Sequence, residues 1–181
     1  MKNLFSVIPL VCLLCFVVAC QDRAAMAELE AFKTQAAVEE QNKTLYRIIL
    51  DELNKGNLEV FDRLFASDYA YFFPSNTQKP LSLEETRELI KTHLKSFPDF
   101  NWNIEELFAE KNAVIARVSS RGTFSGEYQG IPPAGEKIES SAIFIVKIEN
   151  GRVIEEREEV DILNVMQQLG MELKPNETEK K

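Results

Sequence analysis

Cysteine is the first scarcity. The 181-residue chain has three, Cys12, Cys15 and Cys20, all within the first twenty positions. Beyond Cys20 there is therefore no disulfide and no thiolate for a metal. Histidine is scarcer still, because His93 is the only one, so a zinc site would need an unusual all-carboxylate shell. No metal and no cofactor is expected. Basic residues are also few, 21 Lys and Arg against 29 Asp and Glu, for a net charge of −8. That balance disfavours nucleic acid and anionic lipid surfaces, which want clusters of Lys and Arg. Glycine and proline number seven each, and they are not spread evenly. Four of those glycines and two of the prolines fall in Arg121–Glu136, RGTFSGEYQGIPPAGE, which reads as a strand that twists and breaks into a rigid turn.

What the chain does have begins at its start. Lys2 precedes an apolar run from Leu4 to Ala19 interrupted by Ser6 and Pro9, a charged region followed by a hydrophobic one. The run is short for a permanent span, which needs about 20 apolar residues. It ends in Val17-Val18-Ala19-Cys20, which resembles the bacterial lipobox, with Cys20 as the residue that receives diacylglycerol. The expectation is a signal peptide over 1–19, cleavage before Cys20, and attachment to the membrane through acyl chains. Each buried CH₂ of such a chain contributes about 0.8 kcal/mol. Cleavage would leave 20 basic and 29 acidic residues, a net charge of −9. Gln21 follows the cysteine and Asp22 comes one later, which favours an outer-membrane destination facing the periplasm if the cell has an outer membrane.

Residues 20–40, rich in Ala, Glu and Gln, read as a tether or helical spacer, residues 41–172 as one domain, and 173–181 as a polar tail. Leu45, Ile48, Ile49 and Leu53 recur at helical spacing before Gly56. A short helix over Leu58–Phe65 and a strand over Tyr69–Phe73 follow. Ser82 with Glu85 makes a capping box for a third helix ending at Phe97-Pro98. Strand patterns then run Phe100–Ala109, Ala113–Tyr128, Lys137–Glu149 and Arg152–Val160, with Asn150-Gly151 as the strongest hairpin signal, before a short helix over Ile162–Leu169. Helices first and an antiparallel sheet afterwards make an α+β layout with a cavity at the open end of a curved sheet.

Several blocks in that order carry a family resemblance: Asn54-Lys55-Gly56-Asn57-Leu58, Asp68-Tyr69, Phe97-Pro98-Asp99-Phe100, Gly122-Thr123-Phe124-Ser125-Gly126-Glu127, Gly130-Ile131-Pro132-Pro133-Ala134-Gly135, and Asn150 to Glu155 leading to Asp161 and Gln168-Leu169-Gly170. Over Leu45–Gly170 the chain resembles the SnoaL-like polyketide cyclases, or ester cyclases, of the NTF2-like superfamily. The resemblance implies a cone-shaped fold, a curved antiparallel sheet wrapped around N-terminal helices, and in the cyclases an aldol-type ring closure begun by a cavity carboxylate with histidines nearby. It also implies pairing of two copies through the sheet. Phe124 stands where family members commonly carry a histidine, Arg157 where a tryptophan is common, and Ala134 where threonine is usual.

The residues themselves leave the chemistry open. Alternation along the last strand puts Val153, Glu155, Arg157, Glu159 and Asp161 on one face and Ile154, Glu156, Glu158 and Val160 on the other. Glu155, Glu159 and Asp161 are the candidate general bases. Arg157 can bridge the carboxylates beside it, which would hold them ionised and argues against a tuned base. It can instead hold an anionic ligand head, or the face is simply solvated and laced with ion pairs. On the preceding strand, Ile143 and Ile145 are the centre of a greasy lining if their face meets the cavity. Tyr71, Trp102, Arg117, Phe124 and Arg157 complete the candidate ligand contacts. His93, near a helix end where a cation suits the dipole, is read as a helix-end or surface residue rather than a cavity base. Three functions stay open: a lipid-anchored extracytoplasmic domain binding a small hydrophobic or amphipathic ligand, a cyclase or isomerase acting on a carbonyl substrate, and a dimeric interaction module.

Overall fold

In the computed structural model, residues 4–128, 130–172 and 174 are described, with side chains from residue 23 onward, and the chain divides into two compact units between Val38 and Glu39. The expected signal peptide and Cys20 lie outside the residues whose side chains are described, as does most of the expected polar tail. Among the described residues no helix is long and apolar enough to cross a membrane. The expected spacer, 20–40, belongs to one continuous helix, α1 (Leu4–Asn54), whose side chains from Arg23 to Val38 are exposed.

The second unit carries the rest of the fold. After α1 come α2 (Val60–Leu64), β1 (Phe65–Phe72), α3 (Leu83–Ser96), β2 (Asn101–Glu110), β3 (Ala113–Thr123), β4 (Lys137–Glu149), β5 (Arg152–Val160) and α4 (Ile162–Gln168). Tyr46, Ile49, Leu50 and Leu53 stand at i, i+3, i+4 and i+7 and are all buried, so the apolar stripe of α1 faces the sheet. From the sheet, Val114, Ala116 and Val118 of β3 and Ala142, Phe144, Val146 and Ile148 of β4 meet it. Each large side chain so buried stabilises by about 1.5–3 kcal/mol relative to exposure. Gly56, with φ of 71°, ends the helical turn, and Asn54 pins that end to β2: its amide donates to the Trp102 carbonyl at 2.9 Å and its Oδ1 accepts from the Trp102 N–H at 2.8 Å.

The strand order is β1-β5-β4-β3-β2. Pairing is antiparallel from β2 to β5, as expected, and β1 is added at the edge parallel to β5. The reason is connectivity: β1 and β5 are separated by α3 and three strands, so no hairpin constrains their direction. At the β4–β5 hairpin, Asn150 and Gly151 both have positive φ, 51° and 72°, as a primed turn demands.

The expected capping box is present, with Ser82 Oγ accepting from the Glu85 N–H at 3.3 Å and the Glu85 carboxylate accepting from the Ser82 N–H at 2.8 Å. The other end of α3 is held by the glycine-rich stretch. Ser125 and Gly126 donate their N–H groups to the Ser96 carbonyl at 2.9 and 3.0 Å, and Ser96 Oγ donates to the Glu127 carbonyl at 2.6 Å. A Cβ on Gly126 would stand 2.5 Å from the Lys95 carbonyl oxygen, so only glycine permits this approach. Phe97, Phe124, Ile138 and Leu169 form a second, smaller cluster beneath it.

Candidate functional site

Within the second unit, α1, α3 and the inner face of the sheet enclose a cavity of about 170 Å³. Most of its wall is apolar; titratable groups reach it from β5, from the β1 edge beside it, from α3, and as the phenols of Tyr46 and Tyr128, while Ser120 and Ser140 on β3 and β4 share a hydrogen bond of 2.7 Å with each other.

On β5 the cavity receives Glu156, Glu158 and Val160. The simple alternation of the strand fails at its start, because pairing steps from Val153–Ile148 directly to Glu155–Lys147 and leaves Ile154 unpaired. That bulge puts the buried Val153 on the same side as Glu156 and Glu158. Each inward glutamate lies between an apolar neighbour on β4, Val146 or Phe144, and a tyrosine of β1. Tyr69 donates its hydroxyl to Glu156 at 2.8 Å, and Tyr71 donates to Glu158. Burial pushes both carboxyls up to about 7; the tyrosine hydrogen bonds pull the other way without prevailing, while Glu158 adds repulsion at Glu156 and Glu159 adds it at Glu158. Tyr46, entering from α1, is 1% exposed, and its phenol is pushed well up by burial and then by the two glutamates.

On α3, Thr86, Ile90 and His93 follow one another at helical spacing along the cavity wall. His93 stands among four aromatic rings, Phe100 edge-on at 4.3 Å, Phe97 at 4.9 Å, Tyr128 at 6.0 Å and Trp102 at 6.1 Å between centroids. Loss of solvent lowers its pKa to about 4, so the imidazole is neutral at physiological pH. Among the described residues, Tyr46 Oη, Thr86 Oγ1 and His93 Nε2 are buried without a hydrogen-bond partner. These three atoms, one from α1 and two from α3, belong to residues that line the cavity, and buried polar atoms left so are uncommon in folded proteins.

The sequence candidates divide sharply. Tyr71 and Trp102 line the cavity. Ile143 and Ile145 do not: they are 51% and 43% exposed on the outer face, because their strand buries Ala142, Phe144 and Val146 instead. Glu155 is also on the outer face. Burial alone would raise its pKa, but Lys147 at 3.0 Å and Arg157 at 2.9 Å outweigh that and lower it. Arg157 itself points away from the cavity, stacked over Phe72 at 3.9 Å and donating to the Ser75 carbonyl at 2.7 Å. Glu159 accepts from Ser75, Arg117 pairs with Glu106 at 2.8 Å, and Asp161 caps α4 by accepting from the Asn164 N–H at 3.0 Å. Phe124 is in the second cluster, stacked on Phe97 at 5.4 Å.

Sequence reasoning passed over Tyr46, set Glu156 and Glu158 on the strand face it did not choose, and read His93 as a helix-end or surface residue, which its place in the cavity wall with a buried Nε2 corrects. A usable signal existed on β4, where one face reads Ile138, Ser140, Ala142, Phe144, Val146, Ile148 and the other ends in Glu139 and Lys147, so the first is the core face. Glutamates paired opposite Val146 and Phe144 had then to face inward. Among the described residues, no group of three or more His, Cys, Asp and Glu is arranged to hold a metal ion.

Residues 43–169 match the sequence profile of the family described as SnoaL-like polyketide cyclase. No curated protein matches. Among solved structures, the fold is similar to AclR from Streptomyces galilaeus (21% identity, 73% of this chain and 97% of that one, TM-score 0.68). It is also similar to TsrD from Streptomyces laurentii (24%, 72% and 96%, TM-score 0.64) and to a SnoaL-like polyketide cyclase from Agrobacterium tumefaciens (17%, 70% and 95%, TM-score 0.59).

Proposed function

The chain belongs to the SnoaL-like polyketide cyclase family, and from that premise we propose that its cavity performs acid–base chemistry on a neutral, largely apolar carbonyl compound. The observation that carries the reading is the inward pair Glu156 and Glu158, both with pKa near 7. Two interacting carboxyls near 7 hold about one proton between them at neutral pH. One is then a base matched to a carbon acid and the other an acid. The ionised carboxylate takes a proton from the carbon next to the carbonyl. The electron pair of that C–H bond forms the carbon–carbon double bond, and the protonated carboxyl gives its proton to the carbonyl oxygen. The resulting enol either attacks a second carbonyl in the same molecule, closing a ring, or is reprotonated elsewhere, giving an isomer. The apolar walls supply a water-poor setting in which the developing charge is felt strongly.

The test is solvent-deuterium exchange of the α-protons of 2-tetralone and related cyclic ketones, followed by NMR at pH 7. The intact chain should accelerate exchange, and Glu158→Gln or Glu156→Gln should remove most of the acceleration. No acceleration over buffer, or full activity in both variants, would sink the reading. A domain that binds such a molecule without turning it over is the second reading. Phe124 favours it, being an apolar ring at the place of the family's histidine.

Two further proposals concern where and with what the domain works. The Val-Val-Ala-Cys sequence after an apolar run supports a lipid anchor at Cys20 in the cell envelope, facing the periplasm where there is an outer membrane. The mass of the mature N-terminal peptide tests it, an unmodified cysteine counting against. Ile115, Ile143, Ile145 and Phe108, exposed together on the outer sheet face, support pairing with a second copy. Light scattering at high concentration tests that, a monomer counting against.

A further inference from the structure

The two glutamates account for one end of the cavity and leave His93 unexplained. Its ring sits among Phe97, Phe100, Trp102 and Tyr128, where a phenylalanine would complete the aromatic cluster at no polar cost. Instead a buried Nε2 is left without a partner among the described residues, an arrangement that disfavours folding unless a ligand completes it. The position is also deliberately held. The Ser96 carbonyl, one turn beyond His93, accepts from the N–H groups of Ser125 and Gly126, and Gly122 lacks the Cβ that would meet the Phe100 ring at 2.8 Å.

Resting on the cavity reading above, we propose that His93 Nε2 is a second binding pole, which takes an uncharged oxygen of a ligand whose other oxygen meets Glu156 and Glu158. The ligand is therefore an uncharged molecule with an apolar ring body and two separated hydroxyl or carbonyl groups. Anions are disfavoured at both ends: the carboxylates repel them, and a neutral imidazole surrounded by four rings offers no counter-charge. The aromatic walls beside His93 accept a flat body by offset stacking. His93 is thus a specificity-determining contact rather than a proton-transfer group.

Fluorescence titration of the intact chain in detergent at pH 7 tests this with four probes: naphthalene, 2-naphthol, 2,6-dihydroxynaphthalene and 6-hydroxy-2-naphthoate. The diol should bind about 10-fold more tightly than 2-naphthol, one good hydrogen bond's worth, and the naphthoate at least about 10-fold more weakly than the diol. His93→Phe should bring the diol down to the affinity of 2-naphthol while leaving naphthalene unchanged, and His93→Gln should keep most of the preference. A wild-type protein that does not prefer the diol overturns the proposal without any variant, and so does a folded His93→Phe protein that keeps the preference. Binding needs no turnover. Loss of the second pole with intact proton exchange sinks this inference alone, and absent exchange with the diol preference intact sinks the acid–base reading alone.

Discussion

Four glutamates on one strand divide into two chemistries. Glu155 and Glu159 face outward: Glu155 is clamped by Lys147 and Arg157, and its carboxyl lies below the usual range. Glu156 and Glu158 face inward and accept, among the described residues, from tyrosine hydroxyls alone, and theirs rise to about 7. Nothing in the side chains differs. A basic residue in solvent makes a carboxylate a fixed charge, whereas an apolar wall makes it exchange protons near neutrality. The same sheet therefore offers an ion-paired exterior and a titratable interior a few ångströms apart.

The sharpest way to break this contrast is activity. Glu158→Gln should slow α-proton exchange by about 10²–10⁴-fold, while Glu155→Gln and Glu159→Gln should change it less than about threefold. Equal losses from both faces, measured by NMR exchange, would erase the distinction.

Stability against pH comes next. Both inward glutamates have folded-state pKa values above the unfolded value of about 4.3, so between those values the folded protein holds the extra protons. Stability then falls as pH rises from about 4.3 through about 7, and levels off above. Glu156→Gln removes its share of that penalty. Its melting temperature should exceed wild type by several degrees at pH 8, a gain of about 2 kcal/mol or more, and match it near pH 4.5. A variant that melts below wild type at pH 8 would show that the charged carboxylate is better accommodated than its surroundings imply.

Packing separates the two faces by a smaller amount, and here substitution of the inward residue destabilises. Val146, fully buried, and Ile145, 43% exposed, are adjacent in sequence. Val146→Ala should cost about 1–3 kcal/mol in urea unfolding, and Ile145→Ala less than about 0.5 kcal/mol. Arg157→Ala should also cost little, about 1 kcal/mol or less, because its ion pair and its contact with Phe72 are partly solvated, and it should leave exchange activity within about twofold.

Much of this could be read from the chain. The helix before Gly56, the Ser82 capping box, the Asn150-Gly151 hairpin and the turn at Arg121–Glu136 are local signals, each set by residues a few positions apart, and each stands in the structure; of the expected helical stripe Ile49 and Leu53 are buried and Leu45 partly so, whereas Ile48 is 45% exposed and Tyr46 and Leu50 take the inward places. The site was less legible. Ile154 is squeezed out of register by pairing between β4 and β5, so the parity that correctly describes the end of the strand misassigns Val153, the residue from which an inward face would be counted. His93 resembled a helix-end cation because its aromatic surroundings come from positions 97, 100, 102 and 128, and only the fold brings them together.

By itself, then, the sequence determined element types, turns and a family likeness, since propensity, capping and periodicity act over a few residues. Only the tertiary structure decided which carboxylates face water and which face the cavity. Protonation depends on the dielectric and the charges around a group, and those arrive from strands and helices distant in the chain.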